Sequence, residues 1–291
     1  MKYLGYDIPL GLSASSHSPE QIRAFIDRGF THFEIGIPAS MPGAQRVQIE
    51  DKYAPESIEA FARYCNRGRE EELVDLQKDR VKAIEDGGLR VWSVHLPFGP
   101  GWDAAHYVED ERDAVAASLK RVIDLTSAWH PKVYVLHGCL EPVAPTERPI
   151  RVARSIRSLR ELDEYASRCG ARVALENLPR SCLANTAEET RAMIQAAGVP
   201  VVFDVNHLLG ESHEKFLSRL APHVISTHLS DYDGEDERHW LPGEGIVPWK
   251  GVVTGLMASG YRGPFLFELR SGENGPYDVD EVLAAWEKAL G

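Results

Sequence analysis

Residues 224–245 read V-I-S-T-H-L-S-D-Y-D-G-E-D-E-R-H-W-L-P-G-E-G. The stretch begins with a short β-branched run that is typical of a buried strand. His228 stands where this strand should end, and Asp231, Arg238 and His239 follow in a polar loop. Imidazoles and carboxylates at the carboxyl end of a strand are the groups that a metal site or an acid–base site needs. We therefore expect a metal site or an acid–base site at the end of this strand, if other parts of the chain bring further ligands to it.

Seven further apolar runs predict strands of the same kind. They cover residues 8–14, 32–37, 89–97, 132–138, 172–179, 199–207 and 263–270. Patterns typical of amphipathic helices lie between them, at residues 21–28, 56–65, 70–85, 114–129, 150–168, 186–197, 214–220, 248–259 and 279–290. Alternating strands and helices predict a parallel sheet of the α/β class, and eight units in 291 residues suit a closed (β/α)8 TIM barrel. A doubly wound open sheet is the alternative.

The composition limits the domain count, the partners and the location. No linker or low-complexity tract divides residues 1–291, so we expect a single domain. The net charge of −12 disfavours nucleic acid as a partner, because phosphate-binding proteins usually carry basic patches. The four cysteines form no C-x-x-C pair, which argues against a zinc ribbon. Without a signal-peptide segment or a membrane-spanning apolar run, a cytoplasmic location is expected.

Six consecutive predicted strands carry a candidate ligand near their carboxyl ends. In chain order these ligands are His95, His137, Glu176, Asp204 with His207, His228, and Glu268. In a barrel all these strand ends meet on one face, so residues far apart in sequence come together. Each histidine alone is equally well explained as a hydrogen-bonded rim residue. The three carboxylates lie in apolar strands, where a buried charge needs a partner or a cation.

Carboxylates with one imidazole suit a divalent cation such as Mn²⁺, Mg²⁺, Co²⁺ or Zn²⁺. Trp102 and Trp240 lie in loops on the same expected face, where an aromatic ring is suited to stacking on a sugar, although rim packing is the commoner use. The irregular segment 38–54 is compatible with a substrate lid or an oligomer contact. Neither G-x-G-x-x-G nor G-x-x-x-x-G-K occurs, so no nucleotide cofactor is expected.

Seven short motifs, taken in order, resemble the xylose isomerase-like TIM-barrel superfamily. They are H-L-P at 95–97, L-H-G at 136–138, L-E-N-L-P at 175–179, F-D-V-N-H at 203–207, T-H-L-S-D at 227–231, R-H-W-L-P-G-E-G at 238–245 and F-E-L-R at 267–270. The superfamily includes sugar isomerases and epimerases, inosose isomerases and dehydratases, and family 2 apurinic endonucleases. The resemblance spans the chain from about the third predicted strand onward, and it specifies the reaction poorly.

In the ketose epimerase branch, the resemblance implies one divalent metal held by Glu176, Asp204, His228 and Glu268. Glu176 and Glu268 would be the catalytic pair, which moves a proton off and onto a carbon while the metal stabilises the enediolate. The resemblance also implies substrate contacts. The expected substrate-binding residues, with the two tryptophans included, are His95, His137, His207, Arg238, His239, Trp102 and Trp240.

The favoured function is therefore a metal-dependent sugar isomerase or epimerase acting on a carbohydrate or cyclitol. A sugar or inosose dehydratase (lyase) on the same site is the second hypothesis. A three-zinc, apurinic-endonuclease-like phosphodiesterase is the third, since His95, His137 and the sequence Glu237-Arg238-His239 approximate its additional ligands. A barrel that binds a sugar or metal without turnover is a further alternative. The relatives also make a homo-oligomer an expectation.

Overall fold

A computed structural model describes residues 2–3, 6–44, 53–65, 67–272 and 275–291. Eight parallel strands form one sheet, in which the first seven pair in chain order and the eighth pairs with the first. The strands are β1 Leu10–Ser13, β2 His32–Gly36, β3 Val91–His95, β4 Val133–His137, β5 Arg172–Glu176, β6 Val201–Asp204, β7 Val224–His228 and β8 Phe265–Phe267. A two-stranded antiparallel hairpin, Lys2–Tyr3 with Tyr6–Asp7, precedes them.

The sheet closes into a barrel between β7 and β8. The backbone N–H of Leu229 donates to the carbonyl of Leu266 at 2.8 Å, and the N–H of Glu268 donates to the carbonyl of Leu229 at 3.1 Å. These bonds satisfy backbone groups that an open sheet would leave at its edge. The (β/α)8 prediction is confirmed, and the doubly wound alternative is wrong.

Helices cover the outside of the barrel. Their bounds are α1 Pro19–Asp27, α2 Pro55–Tyr64, α3 Glu70–Asp75, α4 Lys78–Asp86, α5 Glu109–Thr126, α6 Arg148–Ser167, α7 Ala187–Ala197, α8 His213–Leu220, α9 Trp249–Ala258 and α10 Val279–Leu290. Short 3-10 turns occupy Ser127–Trp129, Val205–His207 and Ala221–His223. None of the helices in the described part of the chain combines the length and apolar character needed to cross a membrane.

Most predicted elements have shifted ends, and two of the differences have a clear physical cause. The helix predicted at 70–85 is divided at Leu76 and Gln77, because α3 packs against α5 while α4 packs against α1. The strand predicted at 199–207 ends at Asp204, whose Oδ1 accepts the N–H of Asn206 at 2.6 Å and starts a 3-10 turn. Within the irregular segment 38–54, residues 45–52 lie outside the described residues, so its role stays a prediction.

The two-residue period of the strands decides what fills the barrel. Val133, Val135, Ala174 and Val202 form a small buried cluster, separate from the large core between sheet and helices. One step further along β4, β5 and β6, the same inward-facing register places His137, Glu176 and Asp204. The apolar floor of the barrel therefore continues directly into a layer of candidate ligands at the carboxyl ends of the strands.

Candidate metal centre

Four successive strands bring the predicted metal ligands together. One donor atom each from Glu176, Asp204, His228 and Glu268 lies within 4.8 Å of the others. The Nδ1 atom of His228 is 3.1 Å from Glu176 Oε1, 3.2 Å from Glu268 Oε2 and 3.9 Å from Asp204 Oδ2. The imidazole thus faces three carboxylates from neighbouring strands. Oxygen donors with one nitrogen donor form a set that suits Mn²⁺, Mg²⁺, Co²⁺ or Zn²⁺.

Asp204 shows that a cation fits this group. Its side chain is fully buried, and Oδ2 has no hydrogen-bond partner. Burial, together with the nearby Glu176 and Glu268 carboxylates, raises the pKa of Asp204 well above its usual value. A buried carboxylate oxygen without a donor, beside two like charges, is costly unless a positive charge compensates it. A divalent ion held by the four ligands would supply that charge.

Glu34 is a buried partner of His228 that the sequence reasoning missed. Its carboxylate lies 3.0 Å from His228 Nε2 through Oε1, and Ser93 Oγ donates to Oε2 at 2.7 Å. Burial would raise the pKa of Glu34, but the adjacent His228 holds it below its usual value. A carboxylate on the far nitrogen of a metal-binding histidine fixes the orientation of the ring. The available signal was a lone glutamate inside the apolar strand H-F-E-I-G.

Glu176 joins the four-residue group to a second one. Its Oε2 lies 3.1 Å from His95 Nε2 and 3.2 Å from His137 Nε2. Burial opposes a charge on His95, but the hydrogen bond to Glu176 and the negative charges of Glu176 and Glu34 together outweigh it and raise the pKa of His95 to about 9. Burial lowers the pKa of His137. These two histidines and Glu176 form a second candidate metal-binding group.

The third group lies toward the rim. It contains His207, Glu237 and His239, whose candidate donor atoms also lie within 4.8 Å of one another. His207 Nδ1 contacts the carbonyl of Asn177 at 2.8 Å, which leaves Nε2 facing Asp204 Oδ2 at 3.5 Å. The side chain of Asn177 pairs with the backbone N–H and carbonyl of Asp204, both at 2.9 Å. Asn177 therefore holds both residues, His207 through its backbone carbonyl and Asp204 through its side-chain amide.

Two of the expected substrate contacts are occupied elsewhere. Arg238 Nε donates to Asp233 Oδ2 at 2.6 Å, so its guanidinium is bound within its own loop. Trp102 is 2% exposed and donates its indole N–H to the carbonyl of Ala39 at 2.9 Å. The prediction that Trp102 offers a face to a sugar is wrong, because its indole ring is packed in the hydrophobic core. Trp240 is half-buried, and the guanidinium of Arg270 lies over its ring.

Comparison with known proteins identifies the family of this chain. The family described as "Xylose isomerase-like TIM barrel" matches residues 22–289. D-psicose 3-epimerase of Ruminiclostridium cellulolyticum is 26% identical over 67% of this chain and 68% of its own length. Fructoselysine 3-epimerase of Escherichia coli O157:H7 is 27% identical, but over only 40% of this chain and 45% of its own length.

A solved structure agrees with these matches at the level of the fold. The D-psicose 3-epimerase of Clostridium cellulolyticum H10, crystallised with D-tagatose, superposes with a TM-score of 0.69 at 18% identity. The superposition covers 97% of this chain and 98% of the other. At this identity the likeness shows the fold alone. Because the family match extends over nearly the whole barrel, the chain belongs to the xylose isomerase-like TIM-barrel family.

Proposed function

We propose that this protein is a divalent-metal-dependent sugar epimerase or isomerase. The observation that carries the proposal is the convergence of Glu176, Asp204, His228 and Glu268 on one point. The epimerase names of two relatives and of the superposed structure support the reaction class. The acidic surroundings favour a cation and a polyhydroxylated substrate over a polyanion.

A divalent ion held by these four residues would polarise the carbonyl of a bound ketose and acidify the adjacent C–H bond. The side chains of the protein then transfer the proton of this C–H bond. Glu176 and Glu268 lie 3.1 and 3.2 Å from His228 Nδ1, so two separate carboxylates border the proposed metal position and are available as the acid–base pair. One carboxylate accepts the proton from carbon, and the other returns a proton to the opposite face. Glu268 is 28% exposed and so can exchange its proton with water.

The test is deuterium incorporation from D2O into D-fructose and D-tagatose, followed by NMR with Mn²⁺, Mg²⁺, Co²⁺ or Zn²⁺ added. We expect metal-dependent exchange at the carbon next to the carbonyl. Glu176→Gln and Glu268→Gln should each slow it about 10²- to 10⁴-fold, the range for loss of a general acid or base. Glu235→Gln is the matched control, since Glu235 is exposed in the loop after β7 and belongs to none of the candidate metal-binding groups. Unchanged exchange in either test variant would contradict the assignment.

A second candidate function rests on the two additional groups. One is formed by His95, His137 and Glu176, and the other by His207, Glu237 and His239. Together with the four-residue group they make three adjacent candidate metal sites. Three ions side by side would suit hydrolysis of a phosphodiester, by a clamp on the attacking and leaving oxygens. The net charge of −12 opposes binding of a nucleic acid. Elemental analysis separates the candidates: one equivalent of metal per chain favours the epimerase, and three equivalents of zinc favour the phosphodiesterase.

A further inference from the structure

Cys139 and Cys182 are two buried cysteines on neighbouring loops at the carboxyl ends of the strands. Cys139 lies two residues after the end of β4, and Cys182 lies in the loop between β5 and α7. Both are present as free thiols, and each residue is 5% exposed. The proposed function uses neither thiol, so the two cysteines are available for a separate role.

The loop backbone brings the two side chains together. The N–H of Leu183 donates to Cys139 Sγ at 3.1 Å. This nitrogen is bonded to the carbonyl carbon of Cys182, so Cys139 Sγ lies no more than about 5.5 Å from the Cα atom of Cys182. The thiols interact directly, because contact with the Cys139 thiol, together with burial, raises the pKa of the Cys182 thiol. A change of side-chain torsions and a shift of the loops would close the remaining gap to an S–S bond of about 2.05 Å.

The loop that carries Cys182 is fixed beside Cys139 by contacts from the next helix. Arg148, at the start of α6, donates to the carbonyls of Ser181 at 3.1 Å and Cys182 at 2.8 Å. Its guanidinium is held in turn by Glu189 of α7, at 2.7 and 2.8 Å. Neither cysteine lies in a helix or a strand, so the backbone at both positions can adjust without loss of the hydrogen bonds of a regular element. The fold thus keeps the pair together and leaves it room to react.

The fold also separates this pair from the exposed cysteine. Cys169 follows the end of α6 and donates to the carbonyl of Ala166 at 3.0 Å. The helix α6 has 20 residues and is therefore about 30 Å long. Because Arg148 at its start contacts Cys182, Cys169 beyond its end lies toward the opposite face of the barrel. Cys169 is thus too far away to pair with Cys182 in the folded chain, and it provides a matched control.

We infer that Cys139 and Cys182 are a site of reversible oxidation, at which a hydroperoxide converts the two thiols into a disulfide. One thiol attacks the peroxide oxygen, which gives a sulfenic acid and releases water. The second thiol attacks the sulfenic sulfur and releases a second water, so that two thiols lose two hydrogen atoms and one hydrogen peroxide is reduced. A dithiol reductant reverses the step by thiol–disulfide exchange.

The disulfide would join the loops after β4 and β5. These strands carry His137 and Glu176 at their ends, so the bond would restrain the part of the barrel rim that borders the candidate metal centre. Because the thiols are buried and the pKa of Cys182 is raised, its thiolate is scarce at neutral pH. We therefore expect oxidation to take hours rather than seconds.

The test incubates the folded protein with hydrogen peroxide and then unfolds it in urea with a reagent that alkylates every remaining thiol. Peptide mass spectrometry should find Cys139 bonded to Cys182 in about tenfold excess over any other pairing, because neighbouring thiols react at a high effective concentration. Dithiothreitol should restore both thiols. Cys139→Ser and Cys182→Ser should not form this bond, whereas Cys169→Ser should form it as wild type does. Protein oxidised in urea is the reference and should give mixed pairings.

Free thiols at Cys139 and Cys182 after oxidation of the folded wild type would overturn the inference. Conversion of either thiol to a sulfinic acid without a disulfide would do the same, as would the mixed pairings of the unfolded reference. These outcomes are read from the wild type, so they do not depend on how well the variants fold. The inference does not rest on the proposed function: absence of deuterium exchange into sugars would refute the epimerase and leave the disulfide as it is.

Discussion

At the scale of single residues, Glu34 shows how a side chain that is absent from the predicted ligand set can control it. Its carboxylate holds Nε2 of His228 and leaves Nδ1 facing the other carboxylates. We expect Glu34→Gln to weaken metal affinity about 10- to 100-fold, as is typical for partners of metal-binding histidines. Competition for the metal ion with a metal-binding dye measures this affinity. Ser93→Ala, which removes only the bond to Glu34, should have a smaller effect, and an equal effect would argue against this role.

His17 gives a prediction about pH. It is 2% exposed in the loop after β1, and burial lowers its pKa from 6.5 to about 4. The unfolded chain therefore binds more protons than the folded one between these values, so the free energy of unfolding falls as the pH falls through this window. The full shift corresponds to about 3 kcal/mol at most.

Urea unfolding of wild type and His17→Gln at several pH values within this window measures the effect. Glutamine does not titrate, so the variant should lose stability less steeply on acidification. The difference between the two proteins should therefore shrink toward the acid end. Parallel curves would show that His17 binds protons equally in the folded and unfolded states.

At the scale of elements, the loop between β7 and α9 is tied together by Asp231. Although Asp231 belongs to a polar loop, its side chain is fully buried. Its carboxylate accepts the N–H groups of Tyr232, Gly243 and Val247 at 3.0, 2.8 and 3.0 Å, and the indole N–H of Trp249 at 2.9 Å. This carboxylate fixes both ends of the loop that carries His239.

Replacing Asp231 with alanine should lower the free energy of unfolding by about 3 kcal/mol, because several buried donors lose their acceptor. Urea unfolding measures the change, and limited proteolysis shows whether cleavage begins in this loop. Glu235→Ala, at an exposed position of the same loop, is the control and should leave both measurements unchanged. Equal behaviour of the two variants would mean that the loop is held by other contacts.

At the scale of the whole molecule, the candidate metal centre joins β5, β6, β7 and β8. A ligand that binds only the folded state stabilises it, by about 2.7 kcal/mol at a concentration of 100 Kd. We expect Mn²⁺ to raise the Tm and a chelator to lower it, as followed by differential scanning calorimetry. Asp204→Asn should abolish the response to metal. Without metal it should raise the Tm, because it removes a buried negative charge that Glu176 and Glu268 repel.

The local parts of the fold were predictable because they depend on neighbours in sequence. Apolar runs marked the strands, and the period of apolar residues marked the helices between them. The break of the predicted helix at Leu76 and the early end of β6 were missed. Both differences are caused by contacts in the folded protein. The helices α3 and α4 pack against different helices, and Asp204 accepts a backbone N–H.

The barrel and the residue types at the ends of its strands could be predicted from the order of residues along the chain. Strand period, helix period and their alternation are properties of the chain order, and in a parallel barrel they imply convergence of His228 with Glu176 and Glu268. The neighbours that these groups contact depend on how distant segments pack in three dimensions. Glu34 behind His228, the burial of Trp102 and the exposure of Phe98 all depend on atoms from distant segments meeting in three dimensions, which no local pattern records.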